Sequence, residues 1–325
     1  MSEIRTELAD AARKALGVQL ARDEAAALPG EMGWLMAHVP EERGGLGLGH
    51  EGLAAIAKEL GRELVPGPVI AQVGVIAALA HAEPFDGRDA LLEAAMDGEV
   101  MTTSLAPAGA GLTCVPDADR ASRMLVLHPT RVALVALDAP GVTVIERPTW
   151  DRTRRLFDVA VPHDATATVL AEGSVAQTLG ATVHSTMLLA LAADALGGAE
   201  AALDMTVEYL KTRRQFDRPL AMFQALKHRV ADLKCAIAAA DALLWQRADE
   251  AEATLPAMGA LKAHACQVYR DVTEEMIQLH GGIGLTAEYA CHLFLKRAML
   301  NAALLGGGDH WDEMGGRALL EGARA

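Results

Sequence analysis

Residues 209–233, YLKTRRQFDRPLAMFQALKHRVADL, carry more chemistry than a joint between two alanine-rich segments requires. Arg213, Arg214 and Arg218 surround Phe216, and Pro219 leads into the pair Phe223-Gln224. A turn needs none of these. A guanidinium is a permanently charged planar fork that can bind two phosphate oxygens side by side. A phenyl ring can cover a flat ligand, and a glutamine amide both donates and accepts hydrogen bonds. The combination suits a ligand that is anionic and flat. A second stretch, QLHGGIGLTAEY (278–289), adds an amide at Gln278 and, at Gly281-Gly282, backbone N–H groups with no Cβ in the way of a phosphate. Singly, these residues read as a solvated charge, a surface amide and a helix stop; their joint spacing is what argues for a site.

The rest of the chain bounds that ligand. The formal net charge of the 325 residues is −14, which argues against nucleic acid and means that an anion must be met by a local basic patch. The four cysteines, Cys114, Cys235, Cys266 and Cys291, form no C-x-x-C pair and read as buried free thiols, and no metal site is expected. No apolar run is expected to reach the roughly 18–20 residues that cross a bilayer. The first residues, MSEIRTELADAARKAL, are charged and amphipathic rather than a secretory signal, so a cytoplasmic protein is expected.

The composition is 51% hydrophobic and only 4% aromatic, with much alanine, which favours close-packed helices. Helical spacing predicts one or two helices over 1–30, then helices near 50–64, 69–82 and 87–97, with a glycine-rich turn at 44–49. Short β-rich runs broken by His-Pro and Ala-Pro-Gly turns predict five to seven strands over 101–172. Helices return at about 174–213, 221–251, 257–280 and 286–305, with a tail helix near 309–322. The fold class is therefore mainly α: an N-terminal helical domain (1–100), a reduced β domain (101–172) and a C-terminal four-helix bundle (173–325).

That order and the two motifs resemble the acyl-CoA dehydrogenase family. Arg213, Gln215, Phe216, Pro219, Phe223, Gln224, His228, Ala231 and Asp232 are similar to its R-x-x-F-G-x-P-x-x-x-F-Q-x-x-x-H-x-x-A-D signature. Gln278 to Tyr289 is similar to its Q-x-x-G-G-x-G-x-x-x-E-Y segment. VPEERGGLGLG and LGRELVPGP also look like the family's N-terminal domain. The resemblance implies FAD shared across a subunit interface, with one subunit's β domain holding the flavin ring and its partner's bundle gripping the ADP end. It thereby implies FAD contacts for Arg213, Gln215, Phe216, Gln224, Gln278, Gly281 and Gly282. One departure stands inside the motif: Asp217 replaces the family's Gly and would weaken a phosphate arm unless Arg214 or Arg218 neutralises it.

The family reaction removes a proton α to a thioester carbonyl while the β hydride passes to flavin. Its glutamate base usually stands at one of two places, which fall here on Gly306 and Met187. Neither is a carboxylate. Asp194, two turns beyond Met187, is a weak candidate, with Glu200 and Glu288 behind it; each also reads as a structural or solvated acid. The family's T-E-P-x-x-G-S-D loop falls on TTSLAPAG, where Thr102, Thr103 and Ser104 are the only hydroxyls. Short chains of this kind resemble one subunit of the heteromeric α2β2 acyl-CoA dehydrogenases of actinobacterial steroid side-chain breakdown, and RPTWDRTRRLFDV (147–159) and AEYACHLFLKRA (287–298) carry that likeness. It implies an acyl-CoA substrate, a steroid-CoA among the options, and a longer paralogue that supplies the base. The alternatives are a self-sufficient flavin dehydrogenase with a relocated acid, and a non-enzymatic scaffold of the same fold.

Overall fold

A computed structural model describes residues 3–17, 21–107, 109–250 and 253–322. The helical first part runs α1 (Glu3–Leu16), α2 (Arg22–Glu31), α3 (Gly49–Arg62), α4 (Val69–His81) and α5 (Arg88–Met96). The strands follow: β1 (Met101–Thr103), β2 (Val115–Pro116), β3 (Arg123–His128), β4 (Arg131–Ala136), β5 (Thr143–Arg147), β6 (Leu156–Ala160) and β7 (Ala167–Glu172). They form two small sheets, ordered β1-β3-β4-β7 and β2-β6-β5. Pairing is antiparallel except for β1 against β3.

The remainder is α6 (Gly173–Thr212), a two-stranded hairpin β8 (Arg214–Gln215) and β9 (Arg218–Pro219), then α7 (Gln224–Asp249), α8 (Leu255–His280), α9 (Cys291–Ala303) and α10 (Gly308–Gly322). α6 is the spine. It packs along α8 on one side and along α3 and α4 on the other. Two glycines in its middle allow this: a Cβ on Gly197 would lie 1.7 Å from the Lys58 carbonyl oxygen of α3, and one on Gly198 would lie 2.4 Å from the Tyr269 ring of α8. Leu188, Leu189, Leu191 and Leu196 fill the space between, all buried. The main hydrophobic core is continuous from α3 and α4 through α6 to α8, α9 and the inner face of the first sheet.

The expectation of no membrane-length apolar run needs correction. Gly173–Thr212 holds a stretch long and apolar enough to cross a bilayer, but 89% of that window is buried inside the protein. Its apolarity serves the core, because α6 is covered by neighbours on nearly every side.

Candidate functional site

The two sequence motifs meet at one end of the bundle. Tyr209, in the last turn of α6, stacks on His280, the last residue of α8, with ring centroids 4.3 Å apart. The Tyr209 hydroxyl donates to the His280 carbonyl oxygen at 3.2 Å. Tyr289 meets both rings edge-on. This aromatic cluster fixes the end of α6 against Gly281 and Gly282, so that Arg213 and the Gly-Gly turn belong to one surface. Arg213, Gln215, Phe216, Gln224, Gln278, Gly281 and Gly282 are all exposed there.

Arg213 has a held backbone and a free side chain. Its N–H donates to the Tyr209 carbonyl at 2.8 Å, its carbonyl accepts from Leu220 N–H at 2.8 Å, and no ion pair engages its guanidinium among the described residues. The sequence then makes a hairpin that its composition does not announce. Phe216 and Asp217 both have positive φ, 51° and 61°, as a two-residue turn with the twist of its flanking strands requires. Asp tolerates that conformation. Phe does so at a cost on the order of 1–3 kcal/mol, and it is left 86% exposed. The suggested neutralisation of Asp217 does not occur: Arg214 donates to its backbone carbonyl at 2.6 Å, and Arg218 lies 4.0 Å over the Phe223 ring instead. Beyond the hairpin, α7 starts at Gln224 with no side chain capping its first N–H groups. An open helix N-terminus favours an anion.

A second feature lies near the opposite end of α6. A cleft of about 730 Å³ opens between the 103–112 loop, the end of β3 and the first turns of α6. Leu112, Leu125, Leu127, Ala176 and Leu255 give it an apolar body; Ser104, Gln177, His128 and His184 provide the polar edge. No Asp, Glu, Lys or Arg lines it among the described residues. Thr102 and Thr103 do not present hydroxyls to it as donors: they donate to the carbonyls of Pro116 and Leu125 at 2.7 and 2.8 Å. Ser104 likewise donates to Thr113 at 2.6 Å.

The two usual base positions, Gly306 and Met187, are closed to that role. Gly306 has φ +95°, and a Cβ there would lie 2.7 Å from the His310 ring. Its carbonyl accepts from Lys262 Nζ at 2.7 Å, and the preceding Leu305 N–H donates to the Leu105 carbonyl, also at 2.7 Å. Lys262 is fully buried and also donates to the Ala302 carbonyl at 3.0 Å, where it caps the end of α9. Met187 is buried over Gly74 of α4.

Asp194 is buried away from the cleft in a saturated network. Its carboxylate accepts from Arg154 Nη2 (3.0 Å), Arg297 Nε (3.2 Å), Arg297 Nη2 and Asn301 Nδ2 (2.7 Å). Burial pushes the Asp194 carboxyl up, but Arg297 and Arg154 pull harder and leave it at about 2. Such an acid is a poor proton acceptor, and its geometry is that of a strut. Glu200 pairs with Lys58 at 3.1 Å, and Glu288 is exposed. Sequence reading missed Lys262, Arg154 and Arg297. A signal existed for Lys262: it falls in step with Met258, Cys266 and Tyr269 on the buried face of α8, where a cation must have a partner.

Residues 2–97 match the family model for the acyl-CoA dehydrogenase N-terminal domain, and residues 186–315 match the model for the C-terminal domain. Acyl-CoA dehydrogenase IpdE2 of Mycobacterium tuberculosis is 36% identical over 269 residues, 82% of this chain and 77% of that one. Among solved structures, the Tcur3481-Tcur3483 steroid ACAD G363A variant superposes with a TM-score of 0.85 at 28% identity, covering 99% of both chains. The ChsE4-ChsE5 complex from Mycobacterium tuberculosis superposes with a TM-score of 0.84 at 25% identity, covering 99% of this chain and 98% of that one.

Proposed function

We propose that this chain, which belongs to the acyl-CoA dehydrogenase family, is the smaller subunit of a heteromeric acyl-CoA dehydrogenase and grips the nucleotide end of an FAD whose ring and catalytic base belong to a longer paralogue. The observation that carries the proposal is the missing base: no carboxylate lines the cleft among the described residues, and the backbone at 306, one of the family's usual base positions, is strapped.

The bundle-end residues fit an FAD pyrophosphate. An unpaired guanidinium, an uncapped helix N-terminus and an exposed Gly-Gly turn converge on one surface. The length of α6 supports sharing. From Gly180 at the cleft to Arg213 is 33 residues, or about 50 Å at 1.5 Å per residue, far longer than a dinucleotide. One copy of the chain therefore cannot hold a ring in its cleft and the same molecule's phosphates with Arg213. When bound, FAD supplies the hydride acceptor for desaturation of the thioester. Arg213 neutralises its phosphates, Gln224 and Gln278 orient its polar edges, and Phe216 covers an exposed flat face. Phe216, Met222 and Leu285 stand exposed on the two motif segments, as a surface made for another chain would leave them. The relatives named for steroid substrates and for paired chains support a bulky acyl-CoA as substrate and an α2β2 assembly.

Purification tests the proposal. The chain expressed alone should be colourless, and co-expression with the longer paralogue should yield a yellow complex that oxidises an acyl-CoA. Stoichiometric FAD and thioester desaturation by the isolated chain would refute it in favour of the self-sufficient reading.

A further inference from the structure

We propose that the cleft between the strands and α6 is a non-catalytic receptor for an uncharged apolar ligand, bound at its polar edge by His184 and not transformed. The inference rests on the subunit reading above, under which this cleft has no flavin and no base to serve.

Three observations carry it. The volume, about 730 Å³, is that of a site for a small organic molecule rather than a packing defect. The described lining is largely apolar and holds no Asp, Glu, Lys or Arg, so it favours neutral matter over a phosphate or carboxylate. The third is Gly180. It lies inside a continuous helix, where glycine costs about 1 kcal/mol relative to alanine. Gly197 and Gly198 make up that cost with close helix contacts, but a Cβ on Gly180 would meet nothing within 4 Å. No described residue requires a glycine there, and it widens the cleft wall where Ala176 and Ala181 are also small.

The polar edge is preset. His184 Nδ1 sits 2.8 Å from the Gly180 carbonyl oxygen. A carbonyl only accepts, so Nδ1 carries the proton, and in the neutral ring Nε2 is left as an acceptor for a ligand hydroxyl or N–H. The cleft is lined by neither Gly306 nor Lys262 among the described residues. It keeps room for a body and lacks the groups for a reaction.

The test uses the full chain and the neutral, environment-sensitive fluorophore prodan. Saturable binding with a blue shift is expected for the wild type. Gly180→Leu starts from an open Cβ position and should weaken binding at least roughly tenfold, the equivalent of one branched side chain's burial, with a thermal midpoint no lower than wild type. Gly180→Ala should fall between the two, which keeps the test decisive if the leucine variant folds poorly. Absence of saturable binding to the wild type, or equal binding by all three chains, would overturn the proposal. Flavin absorbance of the same preparations is scored separately: FAD on the isolated wild type would sink the subunit reading, whereas missing prodan binding sinks only the receptor.

Discussion

Arg213 shows how much a single side chain can be asked to do. Its backbone is bonded on both sides while its guanidinium has no ion pair among the described residues, in a chain of net charge −14. A charge-assisted hydrogen bond is worth about 1.5–3 kcal/mol, so Arg213→Ala in the assembled enzyme should weaken FAD binding about 10–150-fold. Flavin release on dilution measures this, and unchanged retention would show that the arginine is misplaced. The exposed residues proposed for this surface could be picked from the sequence because their chemistry lies in their type and spacing. The buried ones could not. Asp194 reads in the sequence as a stray acid on an apolar helix. Only its contacts with Arg154, forty residues before it, and Arg297, 103 residues after it, reveal a strut. Long-range pairing of this kind leaves no local pattern.

Helices follow from their periodicity, so α3, α4, α5 and α6 fall within a few residues of the expected bounds. The seven strands between α5 and α6 also agree with the alternating runs. The β8–β9 hairpin escaped notice because Phe-Asp is not the Asn-Gly or Asp-Gly pair that announces such turns. The start of α9 moved from an expected 286 to Cys291, since Gly281–Leu285 forms a tight 3-10 turn around the aromatic cluster. The 147–159 segment, irregular at its centre, gains its role from Arg154, which joins α6 and α9 through Asp194 and Asn301. Asp194→Ala would strand two buried guanidiniums and should destabilise the fold by about 3–5 kcal/mol. Urea unfolding checks this; a loss of activity at unchanged stability would instead revive Asp194 as a catalytic group.

The main core runs from α3 and α4 through α6 to α8 and α9, beside smaller clusters under α1 and in the second sheet, so stress beside α4 should be felt across the bundle. His38 offers a way to apply it. Burial, and then the neighbouring His50 and His81, lower its pKa from 6.5 to about 4. The unfolded chain therefore takes up that proton first as pH falls. The stabilisation is complete above pH 6.5 and is lost between there and about 4, on the order of 2 kcal/mol by pH 5. Urea midpoints at pH 7 and pH 5 should differ accordingly, and His38→Met should flatten the difference.

The strap at Gly306 also bears on this chain's independence. A single replacement there would set a side chain on a left-handed backbone, against His310 and Trp311, with Lys262 still holding the carbonyl. No single replacement at 306 installs an acid without disturbing that turn. Under the subunit reading, the shape of one turn keeps this chain reliant on its partner's base.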